Sequence, residues 1–232
     1  MKNNNKKICI IPARAGSKRI PGKNLVDLGG KPLIRWTVEQ AIESNVFDSI
    51  VVSSDSEEIL NASGDEAIIV KMKRAASLAG DYASTTDVIL DVLLEMKLHS
   101  KEFDIVGLLQ VTSPFRTKYN VIEAFNKFEN AKAESLVSVV RVQENPFHMV
   151  SETRDGKYKL LISQDPSTYK RTQDVSPIYL LNGAIYISRT KSFLEEKTFF
   201  GEKMVIYEMS KEASLDIDTP EDLEVARGRF NK

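Results

Sequence analysis

The sequence predicts an α/β fold: a mainly parallel sheet with helices on both sides. Two observations carry that prediction. Over residues 1–140 short apolar runs alternate with stretches of helical spacing, the pattern of βαβ units. The chain also has 232 residues, 42% hydrophobic and 28% charged, the size and balance of one large globular domain or of one domain with a small insertion. Such a chain can bury a core large enough to need neither disulfides nor a metal to hold it together.

Residues 7–11 form a short apolar run, predicted as a buried strand. Residues 32–44 show helical spacing through Leu33, Trp36, Val38 and Ile42. Residues 49–53 and 67–72 read as the second and third strands. A helix is expected over 87–98, with Ile89, Leu93 and Met96 on one face and Thr86 as its N-cap. A strand over 105–111, a helix over 119–130 and a strand over 136–142 complete the alternation. After Arg141 the pattern changes: residues 143–177 are richer in polar and turn residues, with one hairpin-like element around 157–162. This stretch reads as an insertion outside the main sheet. Strand signals return at 183–187 and 204–207. A last helix then starts at Thr219-Pro220, with Thr219 as cap and Pro220 at the first helical position, where its missing N–H costs nothing.

Composition excludes several classes. One cysteine, Cys9, lies in an apolar run, so it reads as a core residue and no intrachain disulfide is possible. No apolar stretch is long enough to span a bilayer. The basic start MKNNNKK is followed by an apolar run that stops at Pro12 and Arg14, too short for a signal peptide, so a cytoplasmic protein away from membranes is expected. A net charge of −1 argues against a nucleic-acid binder. The charge is uneven, however. Arg14, Lys18, Arg19 and Lys23 fall between Ala13 and Asn24 with no acid among them, which points to a small anionic ligand.

That segment, IPARAGSKRIPGKN, follows the first strand directly, and in open α/β sheets ligands bind at the carboxyl ends of strands. Gly16 and Gly22 allow close backbone approach, and the cations can neutralise phosphate charge. The alternative is a solvated basic loop. The segment is not a Walker A loop, since five residues separate its glycines and Lys23-Asn24 follows. No G-x-G-x-x-G follows the first strand either, which sets a dehydrogenase-like dinucleotide binder aside.

The segment resembles the nucleotide-binding signature of the CMP-N-acylneuraminate synthetases, or acylneuraminate cytidylyltransferases. Four more segments resemble that family in the same order: RAASLAGDYAST (74–85), LLQVTSPFRT (108–117), NGAIYI (182–187) and SLDIDTPEDL (214–223). The resemblance implies a Rossmann-like nucleotidyltransferase core over 1–140 and 181–232, a dimerisation arm over 141–180, a homodimer and a need for Mg2+. It implies that the chain couples CTP to an acidic nine-carbon sugar, giving a CMP-sugar and pyrophosphate. On that reading Ala13, Arg14, Ser17, Lys18, Lys23 and Asn24 hold the triphosphate, and Arg74 with Ala83, Ser84 and Thr85 holds cytosine and ribose. Gln110, His148, Arg171, Tyr186, Phe199 and Phe200 face the sugar. Arg14, Lys23, Asp216 and Asp218 form the catalytic set, with the two aspartates as metal ligands.

Residue chemistry bears on each assignment. Charge builds on the departing β-phosphate, and preplaced cations stabilise it most in the transition state. Asp216 and Asp218, two apart in an extended segment, put both carboxylates on one side and Leu215 and Ile217 towards the core. Such a pair suits Mg2+, but acids before Pro220 also complement a helix dipole. Read alone, Arg74 is a surface cation, Gln110 a turn cap, His148 a packed or surface histidine, and Phe199-Phe200 a core or interface pair.

The sugar half departs from the family pattern. His148 in NPFHM stands where a lysine is frequent, Arg171-Thr172-Gln173-Asp174 has one arginine fewer, and Leu180-Leu181 precede NGAIYI where an arginine is common. The sugar therefore stays open among N-acetylneuraminic, legionaminic and pseudaminic acids. More distant alternatives are a CMP-Kdo synthetase and a non-catalytic nucleotide-binding regulator.

Overall fold

The computed structural model describes residues 5–80, 83–144, 146–162 and 176–230. The chain opens with β1 (Lys7–Pro12), followed by a loop containing a single 3-10 turn at Lys23–Leu25 and a small hairpin of β2 (Asp27–Leu28) and β3 (Lys31–Pro32). It continues through α1 (Leu33–Ser44), β4 (Ser49–Ser54), α2 (Glu57–Ala62), β5 (Ile69–Lys73), α3 (Thr85–Leu98), β6 (Ile105–Leu109), α4 (Lys118–Asn130) and β7 (Ser135–Arg141). A second hairpin, β8 (Val150–Glu152) with β9 (Tyr158–Leu160), pairs only with itself among the described residues. The chain returns through β10 (Tyr179–Arg189), α5 (Thr190–Glu196), β11 (Met204–Met209) and α6 (Pro220–Phe230).

Seven strands make one sheet in the order β5-β4-β1-β6-β10-β7-β11. β1 runs parallel to β4 and β6, β4 to β5, and β7 to β11. β10 runs antiparallel between β6 and β7. Antiparallel neighbours do not need the crossover that a parallel pair requires, so the insertion between β7 and β10 is free to lie outside the sheet. From β1 the chain moves outward through β4 to β5, then crosses back to place β6 on the other side of β1. This is the Rossmann-like arrangement expected from the sequence, and its reversal opens a crevice at the carboxyl ends of β1 and β6.

Alternation along the strands feeds two cores. Cys9 and Ile11 of β1 face a cluster with Leu33, Ile34 and Val38 of α1 and Phe125 and Phe128 of α4. Ile8 and Ile10 face the opposite cluster, with Ile89, Val92 and Met96 of α3 and Phe193 of α5. Two details differ from the sequence reading. The cap of α3 is Ser84, whose hydroxyl accepts the Asp87 N–H while Asp87 reaches back to the Ser84 N–H, so Thr86 lies inside the helix. The helices α2 and α5, of six and seven residues, carry too few apolar positions for periodicity to single them out.

Candidate active site

The loop after β1 is fixed by its own backbone. The Ala13 N–H donates to Ser53 O at 2.9 Å, the Ala15 N–H to Asp55 Oδ1 at 2.8 Å, and Asn24 Nδ2 to Arg14 O at 2.8 Å. Gly22, at φ +62°, opens the 3-10 turn in a conformation that other residues adopt only with strain. Lys23 then reaches the far end of the chain. Its Nζ donates to Ile217 O at 2.9 Å and to Asp218 Oδ1 at 3.0 Å. Arg19 Nη1 lies 3.6 Å from Asp218 Oδ2.

These groups border a cleft of about 430 Å3 at the crevice between β1 and β6. Arg14, Ser17, Lys18, Arg19, Lys23 and Asn24 form its basic wall; Arg74, Ala83, Thr85 and Val88 form another; Gln110, Thr112 and Asp218 close it. Five cations against a single carboxylate make the lining strongly positive. Ser84 caps α3 with its hydroxyl at Asp87 and does not border the cleft. Arg74 is buried, and its guanidinium donates to Ser53 O at 2.7 Å and Ser53 Oγ at 3.2 Å. Burial pushes its pKa down, opposed by the charge of Asp55. Arg74 thus braces the cleft wall on the end of β4, so a ligand meets a side chain that already has partners.

The acid pair is anchored on the neighbouring loop. The N–H of the buried Ile217 donates to Thr112 O at 2.8 Å, which holds the acidic segment beside the cleft, with Asp218 in its lining. Asp222 takes the helix-capping role: its Oδ2 accepts from the N–H groups of Thr219 at 2.8 Å and Asp218 at 3.1 Å, and Thr219 Oγ1 accepts from the Asp222 N–H. Asp216 and Asp218 are therefore not needed as caps. Burial pushes the Asp216 carboxyl above its ordinary range; the Thr112 side chain and Lys23 oppose this, while Asp218 and Asp222 add like charge. Asp216 Oδ1 is buried with no hydrogen-bond partner. Among the described residues no three His, Cys, Asp or Glu side chains cluster as metal ligands. A two-carboxylate set with an orphaned oxygen fits Mg2+, which draws its remaining ligands from water and substrate phosphate.

The sugar-side candidates gather less completely. Gln110 lies just after β6 and faces Gly183, where a Cβ would come within 3.0 Å of Gln110 Oε1. Gly183 has φ +72° and sits where β10 shifts register between Leu181 and Tyr186, so its backbone conformation favours glycine. The Tyr186 ring lies 5.4 Å from Phe199 and 6.3 Å from Phe200. Burial pushes its hydroxyl pKa up, and Asp216 adds to the rise. Phe199 is 6% exposed and packs on Phe193 in the core, whereas Phe200 is 54% exposed. None of these three rings borders the cationic cleft. His148 is exposed on a one-turn 3-10 segment, Pro146–His148, also away from the cleft lining. Arg171 lies outside the described residues.

Three residues escaped the sequence reading. Asp55 holds the basic loop through Ala15, and its place just after β4 at the ligand edge was the available signal. Asn182 is buried in the β10 bulge: its Oδ1 accepts from Ser138 Oγ at 2.6 Å, and its Nδ2 donates to Ser214 Oγ at 2.9 Å, tying the sheet to the acidic segment. Arg116, in the loop between β6 and α4, is fully buried.

A Rossmann-like sheet whose switch point opens on a cationic cleft, with Asp218 at its rim and Asp216 two residues before it, suits a nucleotide phosphate site. The family model described as "Cytidylyltransferase" matches residues 8–228, and the chain belongs to that family. An N-acylneuraminate cytidylyltransferase of Streptococcus agalactiae is 39% identical over 219 residues, 94% of this chain and 51% of that protein. The chain thus spans about half the length of that relative. A CMP-N,N'-diacetyllegionaminic acid synthase of Legionella pneumophila is 38% identical over 93% of this chain and 92% of its own length. Among solved structures, CMP:2-keto-3-deoxy-manno-octonic acid synthetase complexed with CTP matches with a TM-score of 0.68 at 22% identity, over 97% of this chain and 98% of that one. At that identity the likeness concerns the fold.

Proposed function

We propose that the chain transfers CMP from CTP to the anomeric hydroxyl of a nonulosonic acid, releasing pyrophosphate. One observation carries this reading: residues 195 apart in sequence, Lys23 and Asp218, meet at 3.0 Å on the rim of a cleft lined by Arg14, Lys18, Arg19 and Arg74. Such a cleft suits a triphosphate, with cations to neutralise it and carboxylates beside it. Arg14, Lys18 and Lys23 bind the phosphates and stabilise the charge that builds on pyrophosphate as it departs. Ala83 and Thr85, on the wall braced by Arg74, border the nucleoside. Gln110, with Tyr186 behind it, lies towards the acidic sugar. Asp216 and Asp218 would hold Mg2+, which supplies charge neutralisation at the α-phosphate when bound. The names of the relatives support the nonulosonate class, and they differ in the particular acid.

The arm adds a proposed homodimer. Val150, Tyr158, Leu160, Leu161, Leu180 and Leu181 present apolar side chains to solvent along the insertion and the adjoining start of β10. A patch of that kind favours burial against a second copy.

The direct test is pyrophosphate release from CTP and Mg2+ with a panel of acidic sugars. Release with one or more nonulosonic acids is expected. Tight CTP binding without release from any of them would instead favour a nucleotide-binding regulator.

A further inference from the structure

Arg116 is 1% exposed, yet each of its hydrogen-bond partners is neutral. Its Nη1 donates to Ala184 O at 2.6 Å and to Gln110 O at 3.3 Å, and its Nη2 donates to Thr37 Oγ1 at 3.0 Å. Its Nε is buried with no partner. A guanidinium buried without a carboxylate is costly; an aliphatic side chain would fill much of the same volume without that penalty. The cost is concentrated at one seam. Gln110 O lies just after β6 and Ala184 O in the bulge of β10, and the Gln110 side-chain oxygen lies close against Gly183. The same loop is held from outside by Gln40 Nε2, which donates to Pro114 O at 2.6 Å.

We propose that Arg116 is a positioning residue for the sugar side of the site: by clamping the carbonyls of Gln110 and Ala184 together, it fixes the Gln110 amide in the orientation that meets the acidic sugar. The proposal rests on the reading of Gln110 as a sugar-facing group. Burial pushes the Arg116 pKa down to about 10, so the clamp stays charged at neutral pH.

The test is a double-mutant cycle in the full chain with Arg116→Met and Gln110→Ala, read by pyrophosphate release and by calorimetric CTP binding without sugar. Arg116→Met is expected to raise the KM for the sugar about tenfold while leaving CTP affinity within about twofold. Added to Gln110→Ala, it should change the sugar KM by less than about twofold, because its effect runs through that side chain. Multiplicative effects, or CTP affinity falling in step with the sugar KM, overturn the proposal in favour of a general structural role. If Arg116→Met does not fold, Arg116→Lys carries the same cycle, with a smaller rise expected in the wild-type background and none in Gln110→Ala. The side-chain amide signals of Gln110 in a 15N NMR spectrum give a readout independent of turnover. They should be dispersed in the wild type and collapse towards free-amide positions in the Arg116 variant; unchanged signals overturn the proposal even if no sugar is ever found.

Discussion

The cationic wall and the arm solve opposite problems. In the wall, polar groups from distant parts of the chain hold one another: Asp55 takes the Ala15 N–H, Lys23 takes Asp218, and Arg74 takes the end of β4. A site for a highly charged ligand is preformed within one chain, so little reorganisation is left for the moment of reaction. In the arm, Val150 and Tyr158 stand 64% and 73% exposed on a two-stranded hairpin that pairs with no other strand among the described residues. A hairpin of that size is marginal alone. The difference sets a preformed polar cleft within one chain against an apolar surface left exposed, which the proposed homodimer would cover.

The largest expected effect lies in the wall. Asp218→Asn should lower turnover by roughly 10^3-fold, equivalent to ~4 kcal/mol of transition-state stabilisation, while circular dichroism and thermal melting show a folded protein. The residue is half-exposed, Arg19 is exposed, and Lys23 keeps its bond to Ile217 O, so the fold has little to lose. A variant that turns over at wild-type speed would remove Asp218 from the chemistry and leave the wall as a binding surface alone.

The arm gives the second effect. Leu180→Asp places a charge on an exposed apolar position, which costs a monomer little and a buried interface much. Sedimentation should show a dimer in the wild type and a dissociation constant raised about a hundredfold in the variant. CTP binding should survive in the monomer and the sugar KM should rise. A wild type that sediments as a monomer at high concentration breaks the contrast between the two regions.

Much of this contrast was legible in the sequence, for physical reasons. Fully buried strands such as Ser49–Ser54 announce themselves as apolar or small-residue runs, and the basic loop stands out because cations without acids must face an anion or water. The convergence of Lys23 with Asp218 is tertiary: no local pattern reports that residues 195 apart will touch. Arg116 was hidden for a different reason. An arginine in a loop segment reads as solvated, and only the three acceptors gathered around it in space explain its burial. The cap at Ser84 rather than Thr86 is decided by the answering Asp87, three residues on, which closes the capping box. The direction of β10 was likewise open, since a strand of alternating or continuous apolar residues fits either sense of pairing.

A third prediction tests whether charge matters wherever it clusters or chiefly where the cleft concentrates it. Arg35 on α1 bridges Glu39 and Glu66 on a surface remote from the cleft lining. Its hydrogen bond lowers the Glu66 pKa from 4.5 to about 2. A depressed carboxylate contributes stability that is present above its unfolded value and is lost as pH falls through the folded one. Glu66 is more than a third exposed, so solvent screening limits the contribution to less than about 1 kcal/mol at neutral pH. Glu66→Gln should therefore lower urea stability slightly at pH 7, and the gap to the wild type should close between pH 4.5 and 2. Turnover should not change. A gap that persisted at pH 2 would mean that the side chain acts through packing, and a fall in turnover would mean that charge on the back of α1 reaches the cleft, which its separation by the sheet edge and solvent argues against.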